Sequence, residues 1–471
     1  MRQSISALLA IVQLTVAIQL PFLPTSHTEG YKFDPLLHLP GISPYFDAVG
    51  SGLNHKAPRD CEVTAATYLV RHAAIYANDK DYEDYIEPFI KKLNITETKV
   101  RAFGILRTRR DGWSGPLAFF ATWKNPIDDP ENQLEKITLQ GLKDSQKVGK
   151  HLFSRYPDLV PTTKKVYADK KSRTKDTATA FIKSFPQDVD IVEVRDSHET
   201  FHSQNPHKAC KAFTKEPGDN ELKIFMGKYI PSIISRLQPF SPVELEQTDI
   251  MGLQQLCGYE SAITGKKSDI CHVFTDDEWM AYEYAWDLKY LYMVGHGNPL
   301  SPYLGFPWLN TTAELFEKFH DDHAKEGGQR FFLSFTHREV PPFIATALGL
   351  FNSSNAFAEE FPTDRINWSR SWKMAELIPF LGHVGIEKMT CKRSGAGLGA
   401  EADGGNEYVR IIANTAPRPI PFCQDGPGAS CSFEGFKTLV ADGMSAFGDF
   451  DRVCGNKNKN MDGDGDVEGE L

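Results

Sequence analysis

Val63-Thr64-Ala65-Ala66-Thr67-Tyr68-Leu69-Val70-Arg71-His72-Ala73-Ala74-Ile75-Tyr76-Ala77-Asn78 is the stretch from which the rest of the chain can be read. Tyr68, Leu69 and Val70 follow two threonines and two alanines, which predicts a short buried strand; the small residues after them predict a loop at its carboxyl end. Arg71 and His72 then stand at the mouth of a sheet, where open α/β folds place their ligand chemistry. An imidazole can attack phosphorus and carry the phosphoryl group covalently, and a neighbouring guanidinium offers a planar fork to phosphate oxygens. In a chain with 14 histidines such a pair also arises by chance, so its meaning depends on what else stands at strand ends.

Two more stretches repeat the pattern. Lys164 to Ala168 predicts a short strand, followed by Asp169-Lys170-Lys171-Ser172-Arg173-Thr174-Lys175-Asp176-Thr177-Ala178. Arg173 there meets a strand-to-helix junction, where free N–H groups and the helix dipole favour an anion. The lysines around it fit a solvated basic loop equally well. Phe331-Phe332-Leu333-Ser334-Phe335-Thr336-His337 predicts a third strand, running into Arg338-Glu339-Val340-Pro341-Pro342 and a helix from Phe343 to Leu350 with Gly349 near its end. Two imidazoles, two arginines and a carboxylate at three equivalent strand ends describe a phosphate site more economically than three accidents.

The remaining chain sets the frame. With 471 residues, 41% hydrophobic and 24% charged, it is a globular protein of two or three structural units. A net charge of -10 argues against a nucleic-acid partner but permits a small phosphorylated substrate, which needs only a local positive pocket. Residues 1–20 have the pattern of a signal peptide, and no later stretch is apolar enough to span a bilayer, so no stable membrane association is expected once the signal is removed. Eight cysteines without Cys-x-x-Cys spacing predict four disulfides rather than a zinc site. Sequons at Asn94, Asn310, Asn352 and Asn367 agree with export and an extracellular location, and the oligomeric state stays open.

A Pro- and Gly-rich arm occupies residues 21–57, followed by the first part of an α/β domain at 58–200. Within it, Tyr82 to Leu93 has helical spacing that Pro88 breaks or kinks, Leu117 to Trp123 reads as a strand or buried turn, and Thr138-Leu139-Gln140-Gly141 opens a long helix through Tyr156. Residues 201–324 form a mostly helical insert, with helices expected at Asp276 to Met293 and Thr311 to His323. Gly295-His296-Gly297-Asn298-Pro299 lacks the lysine and hydroxyl residue of a P-loop and reads as a turn. The α/β domain resumes at 325–454, with a strand at Glu407 to Ala413 and a helix at Phe433 to Phe447. Residues 455–471 are an acidic tail expected to be disordered, without the twelve-residue pattern of a calcium loop.

From about Cys61 to Cys454 the chain resembles the secreted histidine acid phosphatases, especially their fungal phytase and acid phosphatase branch. The likeness is carried by Leu69-Val70-Arg71-His72, the Thr138-x-x-Gly141 helix opening, Arg173 with Asp176-Thr177-Ala178, Ser334-Phe335-Thr336-His337, Tyr408-Val409-Arg410 and the order of the cysteines. The resemblance implies a phosphoglycerate-mutase-like α/β fold, a mixed sheet flanked by helices with an inserted, mostly helical cap. It implies bridges from Cys61 to Cys391, Cys210 to Cys454, Cys257 to Cys271 and Cys423 to Cys431. It also implies that His72 is the nucleophile, that Arg71, Arg173 and His337 hold phosphate oxygens, and that neither cofactor nor metal takes part.

The departures from the family pattern fall on the chemistry. In Arg-His-Gly-x-Arg-x-Pro, Ala73 replaces the glycine, Ile75 the second arginine and Ala77 the proline. Where most members have His-Asp and the inositol-polyphosphate branch His-Ala-Glu, this chain has His337-Arg338-Glu339, which leaves Glu339 in the proton-donor position. Losing a guanidinium removes charge-assisted bonds of about 1.5 to 3 kcal/mol each. Arg338 brings one back beside His337, so the positive charge can have been moved rather than deleted. Two functions follow: a phosphomonoesterase acting through a phosphohistidine on phytate or another organic phosphate, or a catalytically impaired relative that binds phosphate or glycan.

Overall fold

In the computed structural model the stretch around Arg71 is a central strand of a mixed sheet. The structure describes residues 33–93, 112–194, 203–322, 328–352, 360–392 and 406–456; the expected signal peptide, Asn94 and the tail beyond residue 456 lie outside them. Of the first compact unit, Met1–Asp34, only residues 33 and 34 are described, and the sheet with its helices lies in the second, Pro35–Leu471.

Strand β1, Cys61–Arg71, is far longer than its apolar heart at 68–70 suggests, because its polar first residues pair with a neighbour that shares the Cys61–Cys391 bridge. The other strands are β2 (Lys165–Asp169), β3 (Asp190–Val194), β4 (Phe331–Thr336), β5 (His383–Cys391), β6 (Asn406–Ala413), β7 (Ala416–Arg418) and β8 (Cys431–Ser432). Their order is β3-β2-β4-β1-β5-β6-β7, with β8 on β6. The first four strands in this order are mutually parallel and the rest pair antiparallel. Arg71 pairs with Thr336, and Phe335 with Ala168, so β1, β4 and β2 end on one row. That row is the floor of the site.

The principal helices are α1 (Leu139–Arg155), α2 (Ser172–Ile182), α3 (Asp219–Leu237), α4 (Gln247–Thr264), α5 (Asp276–Val294), α6 (Ser301–Asp322), α7 (Val340–Ala347) and α8 (Phe433–Phe447). Helices α1 and α2 cover one sheet face, where Val148, Leu152 and Phe181 pack on Tyr68, Val166, Phe331 and Phe335. Helix α7 packs on β1 and β5, with α6 beside it and α8 beyond. Helix α5 is buried on nearly every side, as a helix within a helical layer must be, and Thr275 and Glu278 close its first turn as a capping box. No helix among the described residues is long and apolar enough to cross a membrane.

Several expected elements change character. Past Tyr82 the chain winds as a π-helix through Ile86 and continues helically to residue 93, since the Pro88 ring needs the preceding carbonyls displaced and a widened turn supplies the room. Leu117 to Trp123 is neither strand nor turn but lies within and just after a 3₁₀ helix, Gly115–Ala121, where Phe120 stacks edge-on to Trp123 and Phe89. The helix expected from Phe343 begins at Val340, because Pro341 and Pro342 sit in its first turn, where no N–H partner is needed. Two glycines answer close approaches: a Cβ on Gly385 would fall 2.3 Å from the Tyr68 ring, and one on Gly141 would fall 2.5 Å from the Ala74 carbonyl oxygen.

Four disulfides join Cys61 to Cys391, Cys210 to Cys454, Cys257 to Cys271 and Cys423 to Cys431. At the centre of β5, the fully buried Glu387 carboxylate takes an ion pair from Arg155 at 2.9 Å and another from Arg410 at 2.6 Å. Arg410 also donates to the Lys56 carbonyl at 2.7 Å, tying the arm to the sheet. Removing one partner of such a cluster strands the others without compensation. Glu387→Gln should therefore lower the unfolding free energy in a urea titration by about 3 to 5 kcal/mol; a loss below about 1 kcal/mol would mean the two guanidiniums find other partners.

Candidate active site

His72 follows the last residue of β1, and its backbone N–H donates to the Thr336 carbonyl of β4 at 2.9 Å. Its ring Nδ1 lies 2.9 Å from the Ala73 carbonyl oxygen, which can only accept, so the proton sits on Nδ1 and Nε2 keeps a lone pair. The loop beyond is fixed by α2, since Ala73 N–H donates to Thr177 Oγ1 at 2.9 Å and Thr177 donates on to the Arg173 carbonyl. Thr138, capping α1 through Gly141 N–H, receives the same loop by donating its own N–H to Ala74. Burial, then Arg71, Arg173 and His337, hold the His72 imidazole well below its ordinary range. It stays neutral and nucleophilic in mildly acidic medium.

His337 follows the last residue of β4 and has both ring nitrogens engaged. His337 Nδ1 lies 3.4 Å from a guanidinium nitrogen of Arg173, in the first turn of α2, and Nε2 lies 3.0 Å from Asp169 Oδ1. Asp169 is the last residue of β2, fully buried, and its second oxygen takes Lys208 at 2.8 Å and Asn205 at 2.9 Å. Lys208 also comes within 3.0 Å of His337 Nε2. Burial with Lys208 and Arg173 holds His337 well below its ordinary range, so its ring stays neutral among cations.

Arg338 points into the same site. Its guanidinium lies 3.5 Å from Asp81 and 3.8 Å from Glu339, and it is one reason, after burial, that Arg71 is lowered to about 10. Arg71 Nη1 donates to the Ile378 carbonyl at 2.6 Å and its guanidinium lies over the Phe380 ring. Glu339 is buried and pairs with Lys215 at 2.6 Å. Burial alone would raise its carboxyl, but Lys215 foremost, with His207, Arg338 and His337, holds it well below the ordinary glutamate range. In the empty site it is a carboxylate.

Arg71, His72, Arg173, His337, Arg338 and Glu339 all line one cavity of about 90 Å³, and Ile75 lines it too. At roughly 30 Å³ per water that is room for one tetrahedral anion, well below the ~300 Å³ at which whole organic ligands are enclosed. The motifs did not single out Lys171, His207, Lys208, Lys215 and Tyr259, which share its walls, nor Asp169, Glu135 and Asp81, which pair with its cations. Asp169 had a readable signal, the position just after a predicted strand. The others arrive by long-range packing. A larger groove of about 520 Å³, lined by Glu314, Glu317, Glu407 and Glu434 with two lysines, sits near the other end of β1. Glu407 pairs with Thr390 and that with Glu62, about 30 Å along the strand from Arg71. Its carboxylates suit no anion.

Asn310, Asn352 and Asn367 lie in α6, a bend and a loop respectively. Asn310 Nδ2 donates to Glu314 at 2.6 Å and Asn367 Nδ2 to the Glu360 carbonyl at 2.8 Å.

Comparison with known proteins places these observations. Residues 62–414 match the model of the histidine phosphatase superfamily (branch 2). An acid phosphatase of Komagataella pastoris is 26% identical, the match covering 95% of this chain and 93% of the relative. A phytase of Candida albicans is 25% identical over 90% and 87% of the two chains. The crystal structure of the phytase from D. castellii superposes with a TM-score of 0.75 at 22% identity, over 94% of this chain and 93% of that one, a likeness of fold.

Buried imidazoles tie stability to pH. Burial lowers His207 and His383 to about 4 and lowers His72 and His337 as well. An unfolded chain protonates these rings below about pH 6.5, whereas the folded chain does not until near pH 4 for the first two. The unfolded state thus binds more protons across that window, and stability falls as the pH drops through it. Melting temperature should decline from pH 6.5 to 4, and His383→Phe, at a residue that does not line the cavity, should flatten the decline; an unchanged slope in that variant would assign it to other groups.

Proposed function

Because the chain belongs to the histidine phosphatase superfamily (branch 2) and is a phosphomonoester hydrolase, we propose that it is a secreted enzyme that transfers the phosphoryl group of an organic phosphate first to His72 and then to water. The observation that carries this is the His72 imidazole: Nδ1 is committed to the Ala73 carbonyl, and Nε2 is an unprotonated nitrogen in a cation-lined cavity of phosphate size. Phytate is a candidate substrate, since similar proteins are phytases, with one phosphate in the cavity and the remainder outside it. Export is supported by the four disulfides, which persist in oxidising compartments, and by the signal-peptide pattern at the amino terminus.

The chemistry follows from the positions. Arg71, Arg173 and Arg338 hold the non-bridging oxygens, with His337 orienting Arg173 through Nδ1. The Nε2 lone pair attacks phosphorus, the ester P–O bond breaks, and its electron pair leaves on oxygen. Glu339 gives that oxygen its proton. Although Glu339 is ionised in the empty cavity, a phosphate dianion arriving beside Lys215 and Arg338 offsets the charges that hold it down and raises its proton affinity. Water then attacks the phosphohistidine and gives a proton to the Glu339 carboxylate, while the P–N bond breaks with its electron pair returning to Nε2, which restores His72 and Glu339 and releases inorganic phosphate. Arg338 takes over the charge that Ile75 lacks, since both line the one cavity. The phosphate- or glycan-binding alternative has no observation in its favour.

Rapid acid quench with labelled substrate should trap phosphate on His72, and His72→Ala should be inert; label on another residue would remove His72 as the nucleophile. Glu339→Gln should slow phosphates with poor leaving groups far more than activated aryl phosphates, whose leaving oxygen scarcely needs a proton. Equal losses on both would take the acid role from Glu339. Arg338→Ala should weaken inorganic phosphate binding by about 10- to 100-fold, while the parent, with Ile75 unchanged, turns substrate over.

A further inference from the structure

His207 belongs to no motif. It sits on the single helical turn Pro206–Ala209, which is fixed from two sides. Thr336 Oγ1 at the end of β4 lies 2.7 Å from the Gln204 carbonyl oxygen and 2.8 Å from Asn205 Oδ1, and Cys210 is bridged to Cys454. The imidazole is 8% exposed, lines the phosphate-sized cavity, and stands nearly perpendicular to the His337 ring with centroids 6.2 Å apart. Its Nδ1 is buried with no hydrogen-bond partner among the described residues.

Arg71 and Arg173, which also line this cavity, each carry a buried Nε in the same condition. Buried polar atoms in folded proteins are nearly always paired, so three orphans on residues that line one small cavity point to a common missing partner. A tetrahedral oxyanion fits all three, because each can present an N–H and the anion accepts at every oxygen. Packing does not account for the imidazole. Its ring meets Phe213 and Phe343, with centroids 5.8 and 6.3 Å away, and a phenyl group would serve those contacts without burying an unpaired nitrogen. The charges that act on the ring are Lys208, Lys215, Glu339 and Asp169, two of each sign, so a neutral ring with its proton on Nδ1 suffices.

We propose that His207 is a further phosphate-binding residue, its Nδ1–H donating to a non-bridging oxygen of the substrate beside Arg71 and Arg173. This rests on the assignment of the cavity to a phosphomonoester. The test is calorimetric titration of the full secreted protein with inorganic phosphate, which requires no turnover. His207→Phe keeps the ring contacts and removes the donor, and should weaken binding about tenfold. His207→Asn keeps an N–H near the place of Nδ1 and should stay within about threefold of the parent by the same scale. Phosphate bound by His207→Phe as tightly as by the parent, or lost equally in both variants, would overturn the role. A parent that binds no phosphate would instead overturn the assignment of the cavity and the role with it. Should His207→Phe misfold, His207→Leu repeats the comparison against His207→Asn.

Discussion

The site depends on a register. Strand β4 lies parallel between β1 and β2, Arg71 is level with Thr336, and Phe335 is level with Ala168, so all three chains leave the sheet together. The residues that follow are therefore brought face to face without needing a long loop. This concentrates cations at one spot, and four of them are matched by carboxylates: Arg173 by Glu135, Lys208 by Asp169, Lys215 by Glu339 and Arg338 by Asp81. Arg71 instead rests on a carbonyl and an aromatic face. Like charges crowded at low dielectric would repel strongly, and the interleaved acids let the cavity stand preformed without a ligand.

That balance has a price for the acid. The lysine that stabilises Glu339 also keeps its proton off, so the residue in the proton-donor position is tuned for the empty site rather than the occupied one. A phosphate dianion beside Lys215 and Arg338 would offset the charges that hold the proton off. A similar economy applies at Ile75. Ile75, an apolar side chain on the loop after β1, shares the cavity wall with the Arg338 guanidinium from the loop after β4, the neighbouring strand.

How much of this could be read from the chain follows physical lines. Strand ends were legible where an apolar run met small or polar residues, as at Val70, Ala168 and Thr336, and so were helices with clear caps, such as α1 behind Thr138. Strand β5 was not, because Glu387 and Lys388 interrupt its apolar pattern; both are buried, one between two arginines and the other donating to the Phe316 carbonyl. The exposed edge strand β3 left too little apolar signal. Of the site, the residues inside motifs were visible, whereas His207, Lys208 and Lys215 enter from a segment whose position is set by tertiary contacts with β4 and by a disulfide.

That disulfide sets the order in which the protein can be finished. Cys210 and Cys454 are 244 residues apart, and Cys61 and Cys391 are 330 apart, so the bridge beside the cavity closes only after the chain has been made through Cys454. The Ala212 N–H donates to Cys454 and Asn456 donates to Ala209, which ties the turn carrying His207 and Lys208 to the same late segment. A nascent chain thus lacks a fixed wall of its cavity until Cys454 has been made and joined to Cys210.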